Sequence, residues 1–140
     1  MTIDQRRALI HRIANEFWND GNVEVLIEAF APEVVDHYAP PGLPPGRDGV
    51  VALNMAFRTA FPDLRMNVDD IIAEEDRLAW RWSVRGTHQA DLMGIPPTGN
   101  VVTVHGVSVD RFEDDRIVER WLEMDMHGLL MQIGAAPAMA

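Results

Sequence analysis

Val101-Val102-Thr103-Val104-His105-Gly106-Val107-Ser108-Val109-Asp110-Arg111-Phe112, then Glu113-Asp114-Asp115-Arg116, then Ile117-Val118-Glu119-Arg120-Trp121-Leu122-Glu123-Met124 and Asp125 decide the fold. Apolar and polar residues alternate in the first and third runs, and the middle four are turn-like. Alternation by twos marks a strand, because successive side chains leave opposite faces. Two such runs around a short polar turn make an antiparallel hairpin. Counted by twos, Ile117, Glu119, Trp121, Glu123 and Asp125 share one face. A carboxylate on a face that carries a tryptophan asks for a function; a solvated strand end is the plainer reading. A two-residue turn at Asp114-Asp115 pairs Phe112 with Ile117 and puts Val104, Gly106, Ser108 and Asp110 on the Asp125 face, with His105 opposite. A bulge or a three-residue turn reverses this and brings in His105 and Arg111. The pattern alone leaves both registers open.

Upstream, Leu64 to Ala73 and Leu78 to Thr87 read as two more strands around Glu74-Glu75-Asp76-Arg77. On the second of these, Leu78, Trp80, Trp82, Val84, Gly86 and His88 share a face expected to meet a core or pocket. Ala79, Arg81, Ser83 and Arg85 face solvent or a partner subunit. The 89–100 segment carries Gly94, Pro96, Pro97 and Gly99, and is expected to be a stiff loop across the mouth of a cavity, tied by His88.

Helices come first. Thr2 or Asp4 can cap a helix whose apolar positions are Leu9, Ile10, Ile13, Ala14 and Phe17, with Trp18 on its flank. Asn19-Asp20-Gly21-Asn22 stops it. A short second helix through Val25, Leu26, Ala29 and Phe30 ends at Pro32. Val34 to Tyr38 is a candidate edge strand ahead of the proline-rich loop Pro40 to Gly46. A third helix from about Asp48 aligns Val50, Asn54, Phe57 and Phe61. Asn54 is thus an amide inside an apolar stripe, where it needs a partner or a ligand. A last helical turn spans Gly128 to Ile133. Helices followed by antiparallel strands predict an α+β fold, helices packed on one face of a curved sheet.

The 140 residues fit one domain over 1–140, with a tail from about 135 expected to be flexible. A net charge of -10, with twelve scattered basic residues that are all Arg, argues against nucleic acid and anionic membranes. No apolar run follows Met1 to Arg7, so no signal peptide is expected there, and a cytoplasmic location is the default expectation. With no Cys and no Lys, thiolate nucleophiles, Cys-ligated metals and Schiff-base chemistry are excluded. Ser83 and Ser108 stand in no Gly-x-Ser-x-Gly motif, and the histidines lack ligand spacing, so no metal site is expected. The remaining chemistry belongs to Asp, Glu, His, Tyr, Arg and Asn.

Taken together, Asp36-His37, Pro45-Gly46-Arg47-Asp48-Gly49, Ala60-Phe61-Pro62-Asp63-Leu64, Gly86-Thr87-His88, Gly94 to Gly99, Arg111-Phe112, Ile117-Val118-Glu119, Trp121 with Asp125, and Gln132-Ile133-Gly134 resemble the SnoaL-like polyketide cyclases, within the nuclear-transport-factor-2-like cone folds. The resemblance implies a cone-shaped antiparallel sheet, N-terminal helices on its concave face, and an apolar pocket, in a homodimer or homotetramer. It implies cofactor-free aldol ring closure of an aromatic polyketide ester, with one Asp as general acid/base. That Asp matches Asp125. Trp18 and Asn54 fall where such pockets take residues from the helices, and His37 on the rim. In these cyclases a His from the hairpin's first strand joins the pocket; its position here falls on Asp110 or Arg111, and His105 could take its place in the second register.

A carboxyl in an apolar cavity can remove a C–H proton and return it to a carbonyl oxygen, because burial raises its pKa toward neutrality. Beside Asp125, Trp121 would exclude water and Glu123 would add like charge. The expected site is therefore Asp125 as acid/base, with Trp18, His37, Asn54, His105, Ser108, Asp110 and Trp121 around an apolar or aromatic substrate. Two alternatives remain: another hydrolase or isomerase of the same fold, such as an epoxide hydrolase, or a non-catalytic binding or dimerisation module.

Overall fold

In a computed structural model that describes residues 1–135, Thr2 opens the first helix, α1 (Ile3–Arg12). Its hydroxyl accepts from the Gln5 N–H while the Gln5 side chain accepts from the Thr2 N–H. Both bonds serve amides that a helix start leaves without partners. From Ile13 to Asn19 the helix widens into π-helical turns. There the Asn19 amide bonds both the N–H and the C=O of Met66 and pins the segment to the sheet. The part of the expected tail beyond residue 135 lies outside the described residues.

The second helix, α2 (Glu24–Ala29), runs straight into β1 (Phe30–Asp36), so the extended segment begins before Val34. Pro32 is tolerated because β1 is an edge strand. Gly46 (φ +72°) turns the proline-rich loop into α3 (Arg47–Ala60). A Cβ there would lie 2.4 Å from the Pro32 carbonyl oxygen, so only glycine meets both demands.

The other strands are β2 (Arg65–Glu74), β3 (Arg77–Thr87), β4 (Val101–Glu113) and β5 (Arg116–Met124), followed by α4 (Met126–Gln132). They form one five-stranded curved sheet in the order β1-β5-β4-β3-β2, antiparallel except for β1, which runs parallel to β5. Two-residue turns close β2–β3 and β4–β5. Their first residues, Glu75 (φ 43°) and Asp114 (φ 54°), adopt the left-handed conformation such turns require.

The turn at Asp114-Asp115 pairs Phe112 with Ile117, and one residue later the ladder slips. Arg111 stands opposite Glu119, so Val118 is an unopposed bulge. The sequence posed a two-residue turn and a bulge as alternatives; β5 has both. The bulge inverts the parity of everything after it. Ile117 points inward with Arg120, Leu122 and Met124, while Glu119, Trp121 and Glu123 turn outward. On β4 the inward residues are Val102, Val104, Gly106, Ser108, Asp110 and Phe112, all buried.

The helices cover that inner face. Ile10, Phe17, Leu26 and Val50 join Leu78, Phe112 and Ile117 in one apolar core. Arg6 reaches from α1 to the carbonyls of Glu75 and Asp114, and so fastens the helix to both hairpin turns. Among the described residues no helix is long and apolar enough to cross a membrane.

Candidate active site

Between the helices and the inner face lies a cavity. About 710 Å³ of empty space, counted out into the mouth, separates its walls, and the centre of a water molecule can move through ≈ 70 Å³. Trp18 enters from the π-helical turns, Phe57 and Phe61 from α3, and Trp80 and Trp82 from β3. Val102, Val104, Leu122, Met124 and Leu129 complete an apolar lining. Only Tyr38, Asn54, Ser108 and Arg120 bring polar groups other than the indole N–H.

The two inner indoles are aimed by the sheet. Trp80 Nε1 donates to Asp110 Oδ2 (2.9 Å) and Trp82 Nε1 to Ser108 Oγ (3.0 Å). In the ladder Trp80 stands opposite Ser108 and Trp82 opposite Gly106, so each indole leans one step along β4 to reach its acceptor. Gly106 makes this possible. A Cβ there would come within 2.2 Å of the Trp82 ring.

Arg120 brings a charge to the cavity wall. Asp36, Arg120 and Asp110 stand abreast on β1, β5 and β4, register partners across the three strands. Arg120 Nε lies 3.2 Å from Asp36 Oδ1, with both side chains almost out of solvent. Asp36 Oδ1 also accepts from the Tyr38 N–H. Asp110 is 3% exposed. Burial pushes its carboxyl up to about 6, against the Trp80 hydrogen bond and the Arg120 charge, with Asp36 pushing the same way as burial. Burial likewise raises the Tyr38 phenol; Arg120 opposes this, and Glu123 and Asp36 add to it.

The structure gathers some of the expected residues and disperses others. Trp18, Asn54 and Ser108 line the cavity, and Asp110 lies on the same face of β4 as Ser108. Asp125 does not join them: it is exposed, and its Oδ1 accepts from the Gly128 N–H (2.8 Å) as the cap of α4. Trp121 is on the outer face, its ring stacked on His37 at 4.9 Å with Arg77 5.5 Å from its centroid. His37 is no rim residue but an outer one, its Nε2 2.7 Å from Glu119. The His37 and then the Arg111 hydrogen bonds hold the Glu119 carboxyl below the usual range. His105 is exposed on that same outer face. For Trp121, Glu119 and Asp125 the reason is the bulge at Val118, which exchanged the faces of β5.

His88 does tie its loop: buried, it takes the Thr98 N–H on Nδ1 (3.3 Å). The loop does not cross the mouth, however. No residue from 89 to 100 lines the cavity, and Leu92 and Ile95 pack into the core. Arg120 and Tyr38 were missed by sequence reasoning. For Arg120 the signal was the apolar pair Ile117-Val118, which breaks alternation where the strand bulges.

Helices lying inside a curved five-stranded sheet, with an apolar cavity between them, define a nuclear-transport-factor-2-like cone. The sequence profile of the SnoaL-like polyketide cyclases matches residues 8–133, and the chain belongs to that family. Among solved structures it is similar to IdmH, a candidate polyketide cyclase from Streptomyces antibioticus, at 36% identity over 93% of this chain and 99% of that one, TM-score 0.78. It is also similar to AclR, a candidate hydroxylase from Streptomyces galilaeus, at 35% identity over 99% and 91%, TM-score 0.85. TsrD from Streptomyces laurentii superimposes with TM-score 0.87 at 25% identity over 96% and 98%. No curated protein matches the chain significantly.

Proposed function

We propose that this chain is a polyketide-cyclase-type enzyme that seats an apolar, ring-bearing substrate in the cavity and moves its proton with Asp110. One observation carries the reading: a buried carboxyl, pushed up to about 6 by burial, that accepts from the indole of Trp80 in the cavity wall and flanks the cavity-lining Arg120. Near neutrality such a group spends time in both forms, so it can act as base and then as acid. As carboxylate it takes a proton from a methylene between two carbonyls. The Arg120 guanidinium steadies the enolate oxygen that forms. The enolate carbon adds to a second carbonyl carbon, and that oxygen takes the proton back from Asp110. Product and substrate are then isomers, and the step needs no group beyond these side chains. Asp125 is not suited to the role, being exposed and committed to α4.

A second reading has its own support. Epoxide opening wants a carboxylate-activated water beside an Asp–Arg pair, and Arg120 stands between two carboxylates. The water would give one proton to Asp110 and its oxygen to an epoxide carbon as the ring C–O bond breaks, and the freed ring oxygen would take the proton back from Asp110 to complete the diol. Turnover of aromatic polyketide esters and epoxides in heavy-oxygen water separates the two: the cyclase product gains no label, and the diol gains one oxygen. Asp110→Asn should lower either turnover by roughly 10²–10⁴, and undiminished turnover would remove Asp110 from the chemistry. We also infer a homodimer or homotetramer acting in the cytoplasm. In its support, Ile72, Ala79, Val109 and Trp121 form a cross-strand apolar row on the outer face.

A further inference from the structure

Seven buried side-chain polar atoms among the described residues have no hydrogen-bond partner, and four of them lie in the Asp36–Arg120–Asp110 row: Asp36 Oδ2, Asp110 Oδ1, Arg120 Nη2, and Arg120 Nε, which meets Asp36 Oδ1 at 3.2 Å as an ion pair without hydrogen-bond geometry. Buried polar groups are almost always satisfied, so such a concentration points to a ligand group that completes it. Arg120 lines the cavity, with Asp36 and Asp110 flanking it in the row, so a ligand in the cavity meets the row at Arg120. The donor and acceptor inventory restricts that group. Arg120 can only donate. Asp36, ion-paired, can only accept. Asp110 accepts when ionised. With Asp110 ionised the row carries one net negative charge, and with Asp110 protonated it carries none. Neither state attracts an anion. A ketone oxygen can accept a hydrogen bond from Arg120 but offers nothing to the carboxylates. A hydroxyl does both.

We propose that this row is a hydroxyl-recognition subsite, which selects ring-bearing ligands through one phenolic or enolic O–H that accepts from Arg120 and donates to Asp110 or Asp36. The inference rests on the reading that the cavity seats an apolar ring, and it deepens that reading by naming what the ring must carry. It separates three ligands of nearly equal shape. In 2-naphthol the hydroxyl meets the row. In 2-methylnaphthalene a methyl of similar size leaves every one of those atoms unpaired. In 2-naphthoate a carboxylate faces two others.

The test is titration calorimetry of the unaltered chain with each of the three, so that no variant need fold. The expected result is 2-naphthol binding at least about tenfold more tightly than 2-methylnaphthalene, the discrimination a site with buried polar groups makes against an analogue that leaves them unpaired. No heat of binding is expected for 2-naphthoate. Equal affinity for 2-naphthol and 2-methylnaphthalene overturns the subsite and leaves the ring cavity standing; it would mean that water completes the row. Tighter binding of 2-naphthoate also overturns it. Failure of all three to bind overturns the ring cavity itself, and the subsite with it.

Discussion

Exchange Asp110 for Asn, and the pH dependence of stability should change in a way the structure specifies. The carboxyl is 3% exposed, and burial raises its pKa from 3.8 to about 6. Unfolding returns it to about 3.9. Because the native value is the higher one, the native state holds this proton more tightly than the unfolded state does. Its contribution is fully present below about pH 4, is lost as pH rises through about 6, and is flat above that. At about 1.4 kcal/mol per pH unit the loss is about 3 kcal/mol. Asn has the same shape, can still accept from Trp80 Nε1, and does not titrate. Urea unfolding of both proteins from about pH 4 to about pH 8 gives the difference in stability, in which all other titrating groups cancel. That difference should move by about 3 kcal/mol in favour of Asp110→Asn between the two ends of the range. A difference that stays constant would mean that Asp110 titrates as in the unfolded chain. The buried acid, and its fitness for proton transfer near neutrality, would then be refuted.

Asp125→Ala should cost about 0.5–2 kcal/mol of stability through the lost cap of α4, measured by urea unfolding, while turnover stays unchanged. Gly106→Ala pushes a methyl into the Trp82 ring, where a Cβ would lie at 2.2 Å. It should destabilise by about 1–3 kcal/mol and shift tryptophan emission as the Trp82–Ser108 bond breaks. In His37→Ala the Glu119 carboxyl loses the largest cause of its lowered pKa; an NMR titration should place it closer to the ordinary glutamate value. Val109→Arg puts a charge in the middle of the outer apolar row; on the proposed homo-oligomer packed through that row, sedimentation should show the unaltered chain assembled and the variant smaller, and a monomeric unaltered chain would refute the proposal.

Much of the architecture was legible in local pattern. Alternation marked all four long strands, Thr2 was one of two cap candidates for the first helix and is its cap, the third helix expected from about Asp48 begins at Arg47, and Trp80 and Trp82 fell on the inner face of β3 as counting by twos requires. These are properties of a few consecutive residues, and the periods of helix and strand translate them directly. Within the cavity, Asn54 stood out as an amide in a helical apolar stripe, Trp18 followed from the family resemblance, and Ser108 from one of two registers left open; all three line it.

The charged row could not be read from local pattern. Its position depends on which face of β5 looks inward, and a single extra residue, Val118, reverses that choice for every side chain after it. Whether a strand bulges is settled by what its neighbours must bury. Ile117 has to reach the core beside Phe112, while Arg120 has to meet Asp36 on β1 and Asp110 on β4. The chain on its own marked an α+β fold with a curved antiparallel sheet and an indole-bearing face, and the family resemblance added the cone. Asp110 rather than Asp125 became the buried acid only when three strands, distant along the chain, were laid side by side, because a side chain's solvent access belongs to its cross-strand company and not to the residues before and after it.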